Sequence, residues 1–253
     1  MLISVRSAHE AQLVSHYPIA ILDFKNPDQG ALGAVEPTVL SAAISGLTLQ
    51  PGTKISLAAG ELLDPDSAPI AARVDSYSGC WQRISYCKVG LARAAAEGTP
   101  DWKQAWLRFA AALPTTVNPV LVGYLDSARA QSPKIQQLID FAAQHDRCQT
   151  LLLDTFGKDR DLLAWASPTQ LTKWTEAAHA SGLKVVLAGS VGRDNLGMVA
   201  SVEPDLIGVR GAVCDGDRSQ AVDPEKLSDW YRAVVQAVST GEATIHQPGI
   251  RVS

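Results

Sequence analysis

Short apolar runs rich in β-branched residues recur along this chain, separated by stretches of helical period. The runs Leu2–Arg6, Ile19–Lys25, Lys54–Ala59, Arg83–Leu91, Pro119–Asp126, Thr150–Phe156, Lys184–Ser190 and Asp205–Ala212 predict eight strands. Their centres are continuously apolar rather than alternating, as parallel strands buried on both faces require. Helical period is clearest over Asp101–Ala112, Pro133–His145, Pro168–Ser181 and Pro224–Val238. Ser132-Pro133, Ser167-Pro168 and Asp223-Pro224 each set a capping residue before a proline at the first helical position. Shorter helices are predicted at Ala8–Ser15, Pro37–Ser45 and Asn195–Ser201. The apolar patch Ile70–Val74, within the span Asp64–Trp81, fits one more. Eight strands, each followed by a helix, is the tally of a single (β/α)8 TIM barrel of the α/β class over residues 1–240. An open doubly wound sheet is the runner-up, but the first βα turn lacks the G-x-G-x-x-G of a dinucleotide domain. Residues 241–253 form a C-terminal tail. Its part Thr244–Ser253 has little pattern and is read as a loosely packed end or a contact in a homo-oligomer.

Composition agrees with one such unit. At 253 residues and 46% hydrophobic content, the chain can bury roughly 75% of its unfolded surface without disulfides or metal. A net charge of -4 argues against nucleic acid or an anionic membrane surface as partner. The N-terminus Met-Leu-Ile-Ser-Val-Arg lacks a basic segment followed by a signal-length apolar run, so a cytoplasmic location is expected. Cys80, Cys87, Cys148 and Cys214 form no C-x-x-C pair and are read as packing residues or surface thiols. The histidines show no ligand spacing, so neither metal nor cofactor is called for. Asp215-Gly216-Asp217 resembles a metal-binding pair but reads more simply as a polar loop with a turn glycine.

The placement of the lysines changes the picture. Only nine of the 22 basic residues are lysines, and three of them fall at or just beyond the ends of predicted strands, where barrels do chemistry. Strand period puts Ile21, Asp23 and Lys25 on one face of the second strand. Lys88 lies in the apolar fourth strand, Asp154 ends the sixth, and Lys158 follows in its loop. Tyr124 and Asp126 end the fifth. The plain structural explanation is that Asp23–Lys25 and Asp154–Lys158 are ion pairs at the barrel rim. Two pairs plus Lys88 converging on one mouth favour chemistry instead. A lysine shielded from water beside other cations loses pKa, and its neutral amine attacks carbonyls to form a Schiff base. A second lysine or a carboxylate then moves protons. Small residues end the last two strands, Gly189-Ser190 and Gly211-Ala212, where many barrels hold phosphate on backbone N–H groups. Arg210 is expected to add a charged clamp.

Leu22-Asp23-Phe24-Lys25-Asn26-Pro27 followed by Gly30-Ala31-Leu32-Gly33-Ala34 resembles the signature of the (5-formylfuran-3-yl)methyl phosphate synthase family of methanofuran biosynthesis. The resemblance continues through Lys88-Val89-Gly90-Leu91, Gly123-Tyr124-Leu125-Asp126, Leu153-Asp154-Thr155 with Lys158-Asp159, Leu187-Ala188-Gly189-Ser190, Gly208-Val209-Arg210-Gly211-Ala212 and Asp217-Arg218. It implies a TIM-barrel lyase that joins two molecules of the phosphorylated triose glyceraldehyde 3-phosphate, with loss of phosphate and water. It further implies Lys25 as the Schiff-base lysine, Lys88 as proton acceptor, and Asp23, Asp154 and Lys158 as supporting acid–base residues. The choice of Lys25 over Lys88 comes from the resemblance alone. The loop Ala58–Leu63 departs from the family's Gly-Asp element, as does the span Asp64–Trp81. Another lysine Schiff-base aldolase, or a silent binding or assembly protein on the same barrel, stands as the alternative.

Overall fold

The computed structural model describes residues 1–239, so the tail expected over 241–253 lies outside the described residues. The strands are β1 (Leu2–Val5), β2 (Ile21–Phe24), β3 (Lys54–Glu61), β4 (Tyr86–Gly90), β5 (Asn118–Tyr124), β6 (Thr150–Asp154), β7 (Lys184–Leu187) and β8 (Leu206–Val209). They form one closed parallel barrel in sequence order, with β8 returning to β1 through Leu2↔Gly208 and Ile3↔Val209. Alternate strand positions serve two cores. Leu2, Ile21, Val120, Val122, Leu152 and Val186 fill the barrel, while their neighbours Ile3, Leu22, Leu121, Leu153 and Leu187 pack against the helices.

Helices α1 (Ala8–Ser15) and α2 (Pro37–Ser45) match the sequence period. Ser7 Oγ accepts from the Glu10 N–H to cap the first. α3 (Ile70–Ser76) occupies the apolar patch within Asp64–Trp81, and a 3-10 turn at Ser78–Arg83 delays the start of the fourth strand. α4 (Trp102–Ala112) begins behind the Asp101 cap. A short helix α5 (Ser127–Ala130) ends on Gln131 at φ +49°, and this extra turn displaces the next start. α6 therefore runs Ile135–Ala142 with Lys134 at its N-cap, and Pro133 is not its first residue. α7 (Pro168–Ala180), α8 (Arg193–Ala200) and α9 (Pro224–Ser239) complete the ring. Most strands stop short of the apolar runs that predict them, because the last residues of each run leave the ladder to build the loops of the mouth.

One buried ion pair closes the seam. Glu10 on α1 and Arg210 just after β8 meet at 2.9 Å, both nearly inaccessible. Glu10 also accepts from the backbone N–H of Arg6 and of Val222. Removing one partner of such a pair strands the other charge away from water. Glu10→Ala is accordingly expected to cost about 3–5 kcal/mol, read as a lower urea midpoint with an unchanged slope. The four cysteines are buried and free, and no described helix is long and apolar enough to cross a membrane.

Candidate active site

A cavity of about 300 Å³ opens at the C-terminal ends of the strands, and Lys25, Lys88, Asp154 and Lys158 line it. Lys25 stands one residue beyond β2, its backbone N–H still donating to Val5 O at 3.0 Å. Asp154 ends β6, and Lys158 reaches back to it from the following loop, Nζ to Oδ1 2.6 Å. The Thr155 N–H donates to the same oxygen. Asp126 holds that loop in place by accepting from the N–H groups of Phe156 and Gly157, at 2.6 and 2.8 Å.

Lys88 sits mid-strand in β4, deeper in the barrel than a mouth residue. It pairs with Asp23 Oδ2 at 2.7 Å, and Ser4 Oγ donates to the same oxygen at 2.9 Å. This corrects the rim pairing of Asp23 with Lys25. The register explains it: Asp23 lies opposite Ser56 and Lys88 opposite Ala58, so the small side chains of β3 let Lys88 reach across that strand. Asp23 Oδ1 is buried without a hydrogen-bond partner.

Among the described residues Lys25 is thereby left without an acidic partner. It forms no ion pair or side-chain hydrogen bond among the described residues, although it is only 8% exposed. Burial lowers its pKa to about 7. Asp154 and Asp23 pull the value up, and the charges of Lys158 and Lys88 push it down. Asp154 has the opposite balance. Burial raises its pKa, but Lys158 and Lys25 outweigh that and hold the carboxyl below its ordinary range. The site thus contains one amine poised to lose its proton near neutrality, beside two lysine–aspartate pairs.

Across the mouth, Gly189, Ser190, Gly211 and Ala212 line the cavity as expected from the sequence. Gly189 and Ser190 take consecutive positive φ values, +107° and +54°. A Cβ on Gly189 would lie only 3.0 Å from the Thr155 side chain, so glycine is needed for space as well as conformation.

These features coincide with a similarity spanning most of the chain. The profile of the 4-HFC-P synthase family matches residues 1–231. The chain belongs to the 4-HFC-P synthase family. The (5-formylfuran-3-yl)methyl phosphate synthase of Methanosarcina barkeri is 32% identical over 89% of this chain and 94% of its own length. The synthase of Archaeoglobus fulgidus is 30% identical over 92% of this chain and 98% of its own. Among solved structures, phosphoribosyl anthranilate isomerase from Thermus thermophilus superposes with a TM-score of 0.56. It is 18% identical, covers 93% of this chain and 98% of its own, and shares the fold alone.

Within this family member the expected arginine clamp is differently used. Arg210 borders the cavity, but all five guanidinium N–H donors go to the protein: Glu10, Ser4 O, Arg218 O and Gln220 O. Its demand for acceptors is met by the β1–β8 seam, so a phosphate contact from Arg210 is not supported. Arg218, which its ladder of hydrogen bonds helps to place, lines the cavity instead. Its one side-chain hydrogen bond among the described residues is Nη2 to Gly30 O at 2.9 Å. Sequence reasoning assigned it no role. The turn glycine Gly216, at φ +95°, was the available signal that the loop folds back over the mouth. Asp217 in that loop accepts from Ser219 N–H and Oγ, as a polar turn does.

Tyr124 is also not at the lysine cluster's surface. Its hydroxyl donates to Glu61 Oε1 at 2.5 Å, while Ala92 N–H donates to Oε2. Glu61 ends β3, in the divergent stretch Ala58–Leu63 that the sequence read as a loop, and burial raises its pKa.

Proposed function

We propose that this chain condenses two glyceraldehyde 3-phosphate molecules into (5-formylfuran-3-yl)methyl phosphate, for methanofuran-type cofactor synthesis, through a Schiff base on Lys25. The observation that carries the reading is the buried Lys25 amine, unpaired among the described residues and with a pKa near 7. Lys88 and Lys158 are each held by a carboxylate.

In this reading neutral Lys25 adds to one triose aldehyde. The Lys88 ammonium protonates the carbinolamine hydroxyl, which leaves as water, while the free Asp23 Oδ1 orients it. The neutral Lys88 amine then takes the α-proton of the iminium, giving an enamine and regenerating its own ammonium. The enamine attacks the second aldehyde. Phosphate elimination, cyclisation and dehydration follow, with Asp154 and Lys158 exchanging protons. Backbone N–H groups at Gly189, Ser190, Gly211 and Ala212, with the Arg218 guanidinium, hold phosphate.

Incubating the purified protein with glyceraldehyde 3-phosphate tests this directly. Furan-aldehyde absorbance rising together with free phosphate supports it. An aldol product without phosphate release would make the chain an ordinary Schiff-base aldolase, and no turnover at all would leave a binding protein.

The lowered pKa also sets a pH dependence. The rate of borohydride trapping with substrate is expected to rise with pH through a midpoint near 7, as Lys25 loses its proton. A profile still climbing near pH 10 would mean an ordinary, solvated lysine.

A further inference from the structure

The barrel holds a second cavity, of about 360 Å³, at the end opposite the lysine cluster. Its walls are apolar, with Ile21, Val120, Leu152, Val186 and Leu206 around the small side chains of Ala20 and Ser56. Lys88 lies between the two spaces, since it lines both this cavity and the upper one. Lys54 opens β3 and Lys184 opens β7, so in an eight-strand barrel they face each other across the lower opening. Both are exposed, and neither makes an ion pair among the described residues. The acidic group at this rim, Asp205, is already engaged: its Oδ2 meets His179 Nε2 at 2.9 Å and the Val185 N–H at 2.7 Å. Tyr86 is the remaining titratable side chain of the lining. The volume lies within the range of small-molecule sites, and apolar walls with a few charged groups at the opening are their usual make-up.

We propose that the lower end of the barrel binds a small aromatic anion. Its ring lies against the apolar wall, and its carboxylate or phosphate sits in the opening between Lys54 and Lys184. The assignment is independent of the reaction at the upper mouth.

The test is calorimetric titration of the full chain with naphthalene-2-carboxylate and with its neutral counterpart naphthalene-2-methanol. One acid molecule is expected to bind per chain, about tenfold more tightly than the alcohol. The surface double variant Lys54→Ala/Lys184→Ala should erase that preference while still binding both weakly. Ala20→Phe, which fills the cavity, should abolish binding of both. Lys25→Ala should leave binding unchanged. Equal affinity for acid and alcohol, a preference surviving the double lysine variant, or no binding of either probe would overturn the proposal. Loss of binding in Lys25→Ala would place the probe in the upper site and overturn it equally.

Discussion

Lys25→Ala is expected to lower turnover at least about 10⁴-fold and to eliminate borohydride trapping. The other lysines of the mouth cannot replace it in the resting site. Lys88 is held by Asp23 at 2.7 Å and Lys158 by Asp154 at 2.6 Å, so each amine is already engaged by a carboxylate. Burial lowers the pKa of Lys158, and the Asp154 carboxylate beside it pulls the value back up. The same variant should fold at least as well as the native chain. A pKa lowered on folding means that the folded state binds fewer protons than the unfolded one between about 7 and the ordinary lysine value. Stability contributed by this group therefore rises with pH across that window and is at its poorest at and below pH 7. Deleting the amine removes that penalty, so the thermal midpoint at pH 6.5 should hold or increase. Lost turnover with retained stability separates a chemical role from a structural one.

Asp154→Asn is the second large effect. Asp154 faces the Lys158 ammonium directly and lowers the energy of the charges on Lys25 and Arg218. Neutralising it leaves like charges together in a buried site, a loss of about 3–5 kcal/mol. Activity should fall about 10²–10³-fold through the missing proton carrier. The distinctive sign lies in the pH profile. Asp154 raises the pKa of Lys25, so without it the trapping midpoint should move below 7 even as turnover collapses. A midpoint that stayed put, or rose, would show that Asp154 does not face Lys25. The native carboxyl has a lowered pKa, so its stabilisation is present above the ordinary carboxylate range and is lost as pH falls through the lowered value. Asp154→Asn should flatten that part of the acid-side decline.

The barrel was legible because each strand is an apolar run with a polar break, and burial on both faces leaves that pattern intact in one dimension. Strand ends were less so. Arg6, Lys25, Phe156 and Ser190 were read as the last residues of their runs, yet each lies beyond its strand, where the chain has left the ladder for the loops of the mouth. Pro133 misled for a local reason, the left-handed Gln131 that adds a turn before α6. At the site, residue types and strand-end positions brought Lys25, Asp154 and Lys158 to one mouth, while Lys88 and Asp23 pair deeper in the barrel. The Asp154–Lys158 pair was legible, but the partner of Asp23 was not, because it depends on Ser56 and Ala58 of a third strand being small enough for Lys88 to reach it. Arg210 lost its expected role as a clamp for a similar reason, while Arg218, to which the sequence assigned none, lines the cavity beside it. Glu10, two hundred residues away from Arg210, takes the guanidinium that sequence proximity assigned to the mouth.

Lys25, rather than Lys88 or Lys158, is the amine proposed to form the Schiff base. Borohydride reduction of the protein during turnover of glyceraldehyde 3-phosphate, then proteolysis and mass spectrometry of the peptides, reads the modified lysine directly. The reduced adduct is expected on Lys25 and on no other lysine. An adduct on Lys88 or Lys158 would contradict it.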